Sequence, residues 1–141
     1  MLGEHQLGTA TLVSRGSLTA PTTDTLKAAL YLASGSLGAG TTAYSATSEV
    51  SGTNYTAGGI TVTNATAPSS SGTTAIWTPS ASLQWTTVTL STAFDTVLIY
   101  NSTQSNRAIG VYTFGSQTVT AGNFTLTMPV NGASTALIQL A

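Results

Sequence analysis

FDTVLIYNSTQSNRAIGVYTF, residues Phe94 to Phe114, sets two apolar runs on either side of a short polar segment and reads as an antiparallel hairpin. In an extended chain successive side chains point to opposite faces. Phe94, Leu98 and Tyr100 are therefore expected on one face and Val97 and Ile99 on the other, which makes this strand apolar on both sides and central in its sheet. In the returning run Ile109 and Val111 are expected on one face, with Ala108, Gly110, Tyr112 and Phe114 on the opposite one. The connecting residues Asn101 to Asn106 are turn formers, too many for a two-residue turn and suited to a longer hairpin loop.

Outward from the hairpin, most of the chain has the same character. Leu83 to Leu90 sets Leu83 and Trp85 on one face and Val88 and Leu90 on the other, as in a strand that crosses between two packing environments. Thr73 to Pro79 reads as an edge strand because it closes on a proline. Ile60 to Ala65 alternates as a half-buried strand with Ile60 and Val62 inward. Asn123 to Met128 places Phe124, Leu126 and Met128 inward, and Ala136 to Leu140 does the same with Ile138 and Leu140. Pro68 to Gly72 (PSSSG), Ser34 to Thr42 and Gly115 to Gly122 read as loops. Ala43 to Glu49 has room for one helical turn at most, and Glu49 to Gly59 reads as a strand that breaks into a turn. Asp24 to Ala33 fits a helix capped by Asp24 as well as a strand with Leu26, Ala28, Leu30 and Leu32 on one side. About eight or nine strands at roughly 8–12-residue spacing predict an all-β antiparallel sandwich, of jelly-roll or immunoglobulin-like type. Residues 1–23, rich in Gly, Ser and Thr, read as an extended N-terminal arm, and residues 24–141 as one sandwich domain.

Composition restricts the chemistry. Of 141 residues 41% are hydrophobic and only 5% charged, with a net charge of -1. Ordinary soluble domains carry about 25% charged residues. The polar surface must come from Thr and Ser, which make up 46 of the residues. Such a surface neither steers nor repels and tolerates close contact with other neutral surfaces. Three cations are too few for the phosphate contacts that nucleic acid requires. No apolar run approaches the ~20 residues of a membrane-spanning helix, and the residues near Met1 lack the pattern of a signal peptide. With no cysteine there is no disulfide, thiol nucleophile or thiolate metal site.

The single histidine, His5, cannot build a multi-histidine metal site, and Glu4, Asp24, Glu49 and Asp95 are scattered over four segments. The expectation is no catalytic residue, no metal and no cofactor. Asp24 is expected to serve as a cap or turn residue, Asp95 at a strand entry, and Glu49 as a solvated side chain. Trp77, Trp85, Tyr55 and Tyr44 suit packing first and a sugar-stacking platform second. Arg107 is expected either to pair with Asp95 or Glu49 or to anchor an interface. Four N-x-S/T sequons, at Asn54, Asn64, Asn101 and Asn123, are expected by chance in so Thr-rich a chain.

Five blocks taken together carry a resemblance: TDTLKAALY (Thr23 to Tyr31), EVSGTNYTAGGITVTN (Glu49 to Asn64), VLIYN (Val97 to Asn101), RAIGVYTFG (Arg107 to Gly115) and VTAGNFTLTMP (Val119 to Pro129). In this order and spacing they resemble a family of small structural proteins of tailed-bacteriophage virions, with Asn54 standing where that family usually has Gly. The resemblance implies a β-sandwich, favours the strand reading of Asp24 to Ala33, and brings no catalytic residues. It implies a virion location after assembly in the host cytoplasm, as a capsid cement or decoration protein. Such a protein would act as a homo-oligomer, expected to be a trimer, on the major capsid protein, with neither nucleic acid nor membrane as partner. The alternatives are a tail or head-tail junction component and a carbohydrate-binding module using Trp77 or Trp85. The expected contact residues are Leu2, His5, Leu7, Leu12, Val13, Arg15 and Leu18 of the arm, together with Arg107.

Overall fold

A computed structural model describes residues 24–63 and 68–141. Seven strands and no helix occur among them: β1 (Leu26–Leu32), β2 (Ile60–Thr61), β3 (Ser69–Ser71), β4 (Thr74–Trp77), β5 (Leu83–Asn101), β6 (Arg107–Leu126) and β7 (Ile138–Leu140). All pairings are antiparallel, in a four-stranded sheet of order β2-β1-β5-β6 and a three-stranded sheet of order β3-β4-β7. The chain is all-β, and Asp24 to Ala33 resolves as the strand β1. The sheets belong to two compact units, one built on 25–62 and 83–126, the other on 68–82 and 127–141.

In the larger unit β5 and β6 form the expected hairpin around Asn101 to Asn106, but it is far longer than 94–114. Asn101 is fully buried and its Oδ1 accepts from the backbone N–H of Thr103 and of Gln104. Ser105 and Asn106 take left-handed backbone angles (φ 53° and 57°), which closes the loop. Gly115 to Gly122, expected as a loop, instead continues β6. Most of those residues are polar or glycine and exposed, so periodicity gave no sign of them; they are strand because β5 runs alongside and pairs with them.

Bulges correct three facial assignments. Asp95 is an extra residue in β5: Thr96 pairs with Tyr31 while Phe94 pairs with the very next residue, Leu32. Adjacent residues of β1 point oppositely, so Phe94 lies on the Val97 and Ile99 face, not with Leu98 and Tyr100. A second bulge places two residues, Thr86 and Thr87, opposite the single Asn123, with Thr87 at φ 52°. Val88 and Leu90 thereby stay on the face of Leu83 and Trp85, and the expected crossing between environments does not occur. A third, between Ile99 and Tyr100, leaves Ile109 unpaired in β6. Ala108 consequently joins Val111 against the buried cluster of Ala29, Tyr31, Leu98 and Tyr100. Bulges bend a strand and raise its twist, and here they fold the hairpin back on itself. The ring of Phe124, opposite Trp85, meets that of Phe94 edge-on at 4.9 Å, and Phe114 joins both at 5.4 and 6.1 Å.

The smaller unit also departs from expectation. Ser69 to Ser71, in the stretch expected to be a loop, forms β3 and turns into β4 through Gly72 at φ 62°. β4 lies in the middle of its sheet rather than at an edge, because Pro79 falls beyond its last residue and removes no ladder hydrogen bond. β7 leaves Ile138 half-buried and Leu140 53% exposed, so Leu140 does not point inward as expected. Ile60 to Ala65 yields only β2 within the described residues, although Val62 is buried as expected.

Replacing Asn101 with Ala leaves two turn amides without their side-chain acceptor, and should lower unfolding stability by about 1–3 kcal/mol. Chemical denaturation of wild type and variant, compared at equal m-value, checks this.

Candidate functional site

β1 is buried on both faces from Ala28 to Tyr31, so its outer edge has no water to satisfy its amides and carbonyls. Residues 48–62 supply the partners. Val62 N–H donates to Leu26 O at 2.9 Å, Val50 N–H to Leu30 O at 3.0 Å, and Leu32 N–H to Ser48 O at 2.9 Å. β2 covers Lys27 and Ala28. The remaining donor, Leu30 N–H, goes to the phenol oxygen of Tyr55 at 3.0 Å. A side chain thus completes a strand edge.

Tyr55 is held there by Glu49. Glu49 Oε1 accepts from the Tyr55 hydroxyl at 2.8 Å and from Gly58 N–H at 2.8 Å, while Oε2 accepts from the Tyr44 hydroxyl at 2.6 Å. Tyr44 stacks on Tyr100 at 4.8 Å, and the Tyr100 hydroxyl donates to Gly58 O at 2.8 Å. Glu49, expected as a solvated side chain, is the centre of a charge-assisted network. Only folding brings Tyr44, which precedes it, together with Tyr55 and Gly58 of the turn that follows, so position in the chain gave no sign of it.

The other motif residues of EVSGTNYTAGG are equally structural. A Cβ on Gly59 (φ 72°) would fall 1.8 Å from Ala28 O, and one on Gly52 would fall 2.0 Å from Thr89 O. Both glycines are required by close backbone approach. Asn54 has φ 61°, a left-handed conformation open to Gly and to Asn. Its Nδ2 donates to Thr87 O, while Thr87 N–H donates to Asn123 Oδ1, so two sequon asparagines hold the Thr87 bulge. Paired residues Thr53 and Thr89 tie the turn to the first half of β5.

Burial raises the tyrosine pKa values above the usual 10.0. Tyr112 rises to about 12 through burial alone, and Tyr31 to about 12 through burial with Glu49's negative charge adding. Tyr44, Tyr55 and Tyr100 are pushed up in the same way, burial first and Glu49 after it. The cluster holds its protons and offers neither a phenolate nor an open carboxylate.

Leu2, His5, Leu7, Leu12, Val13, Arg15 and Leu18 lie outside the described residues. Arg107 is exposed where β6 begins, paired through its backbone with Ala43. Its side chain forms no ion pair with Glu49 or Asp95; Asp95 accepts instead from the Thr96 hydroxyl at 2.7 Å. Trp77 and Trp85 are 0% and 3% exposed, so neither presents a face to a ligand. Among the described residues no three His, Cys, Asp or Glu side chains gather as metal ligands. A groove of about 350 Å³ runs between Leu37 to Thr41 and the β6 residues Ala108 to Thr113.

No protein family, no curated protein and no solved structure matches this chain.

Tyr55→Phe strands the buried Leu30 amide and should cost about 1–3 kcal/mol in denaturant unfolding. A phenol with a raised folded pKa binds its proton more tightly folded than unfolded, so its contribution is complete below pH 10 and is lost as pH climbs through about 12. Stability should therefore be flat from pH 8 to just below pH 10 and fall steeply above it. Urea midpoints across that range, with tyrosinate absorbance followed in parallel, test the sign.

Proposed function

We propose that this chain is a non-enzymatic structural protein of a tailed-bacteriophage virion, a cement protein that oligomerises and clamps neighbouring capsid subunits. The observation that carries the reading is the fate of the block EVSGTNYTAGG. Glu49, Gly52, Tyr55, Gly58 and Gly59 each have a packing or hydrogen-bonding task on the edge of β1 or β5. The block on which the resemblance to virion proteins rests is thus one that builds the fold, as expected where a resemblance carries architecture without chemistry.

On this reading the fold is of β-sandwich type, and the oligomer is a trimer seated on the major capsid protein. The Thr- and Ser-coated, nearly uncharged surface supports the reading, because it lets neutral surfaces approach without repulsion. Attachment would come from multivalency: contacts that are individually modest act at high effective concentration when one oligomer holds several of them. Leu2, His5, Leu7, Leu12, Val13, Arg15 and Leu18 supply the contact arm, and exposed Arg107 adds to it. A tail or head-tail junction position differs from head cement in copy number.

Deleting residues 1–20 should release the protein from particles or lower the temperature at which they survive; full occupancy with unchanged heat resistance would exclude a contact role for the arm. Quantifying copies per particle separates hundreds for a head protein from a dozen or fewer for a tail component, and absence from assembled particles overturns the proposal.

A further inference from the structure

We propose that the outer edge of β6, from Ile109 to Thr113, receives the N-terminal arm of a neighbouring copy as an added strand. The inference rests on the reading of the protein as an oligomer of identical chains, and it names the edge that each copy offers to the next.

β6 is the long open edge among the described strands. It ends the four-stranded sheet, and its outer side is covered only at Arg107 and Ala108, by the strap Thr42 to Tyr44: Ala108 N–H donates to Thr42 O, and Tyr44 N–H to Asn106 O. No backbone hydrogen bond from another segment reaches its outer side beyond Ala108 among the described residues. The outer edge of β1 is filled by residues 48–62, and β2, β3 and β7 are two or three residues long. Exposed edges are ordinarily guarded by charge, proline or bulges. Ala108 to Leu126 contains no charged residue and no proline, and its bulges fall at Ile109 and around Gln117 and Ala121, which leaves Gly110 to Thr113 in regular register between them. The first half lies open beside the groove whose other wall is Leu37, Gly38, Ala39 and Thr41. Strand addition uses just these two elements, a row of free backbone groups and a pocket for alternate side chains.

The length and root of the arm make it the occupant. Residues 1–23 can extend over roughly 75 Å, and they carry the β-favouring stretch Thr9 to Val13, TATLV, in which an extended chain would put Ala10 and Leu12 on one side to fill the groove. The arm joins the sheet next to Leu26, which stands beside Asn101 and then Arg107 in one row across β1, β5 and β6. Arm root and open edge therefore sit at the same end of the sheet, about 10 Å apart. Within one chain the Thr42 to Tyr44 strap already occupies the near end of that edge, at Arg107 and Ala108, whereas an arm from a second copy meets the rest of the edge from outside. Each chain then gives an arm and takes one, a head-to-tail contact that closes into a ring.

The chain has no cysteine, so introduced thiols report cleanly. Full-length Thr113→Cys protein is mixed with Thr9→Cys, Thr11→Cys or Val13→Cys protein and oxidised, with exposed Ser134→Cys replacing Thr113→Cys as control. The expected result is an interchain disulfide at one or more arm positions, at least tenfold over the control. The paired change Thr113→Lys with Gly115→Lys, at exposed positions outside the core, should convert the oligomer to folded monomer in light scattering. A monomeric wild type, an oligomer that survives the lysines, or interchain disulfide no higher than the Ser134→Cys control overturns the inference. All these readouts use purified protein: a crosslinked oligomer absent from particles would remove the virion reading alone, and particle-bound protein without the crosslink would remove this one alone.

Discussion

Everything in the larger unit depends on satisfying the outer edge of one buried strand. β1 has apolar neighbours on both faces, and each unpaired amide there would cost about 1–3 kcal/mol. A regular neighbouring strand covers only two of its residues. The chain completes the edge with irregular backbone, a tyrosine hydroxyl and a carboxylate that aims it. Glu49 thus acts as a structural ion whose three donors come from Tyr44, Tyr55 and Gly58. The close approach that allows this leaves no room for a side chain at Gly59.

The second constraint is a single apolar face along a very long hairpin. A flat pair of strands of this length would carry its aromatic residues far apart. Extra residues at Asp95, in the Thr86-Thr87 pair and in β6 bend the ribbon until Trp85, Phe94, Phe114 and Phe124 share one cluster. Each bulge flips the alternation, so residues an uninterrupted strand would place on opposite sides end on the same one. The exposed backbone this creates is tied down by asparagine side chains, as Asn54 and Asn123 do for Thr87.

These two constraints take up groups that could otherwise do chemistry. The carboxylate of Glu49 and the hydroxyls of Tyr31, Tyr44, Tyr55 and Tyr100 all hold backbone or one another in place. What remains outward among the described residues includes many Thr and Ser side chains and the outer edge of β6 beyond Ala108. A protein so arranged can contribute shape and backbone hydrogen bonds to an assembly, which is the role proposed for it.

Composition and alternation determined that the chain is all-β, that 94–114 is a hairpin with a longer loop, and that its first strand is central, because these follow from local apolar runs and turn residues. The β character of β1 needed the resemblance as well, since its residues favour helix by propensity. Only the tertiary structure decided which face Phe94, Ala108 and Val88 occupy, because a bulge is set by the register of a partner strand and leaves no mark in one strand's pattern. It alone turned the polar stretches Ser69 to Ser71 and Gly115 to Gly122 into strands, since their pairing partners rather than their side chains hold them. It alone made Glu49 a structural centre: a lone carboxylate in a Gly-rich segment reads as solvated until the turn after it brings the Gly58 amide and Tyr55 hydroxyl within reach and Tyr44 closes from the segment before it.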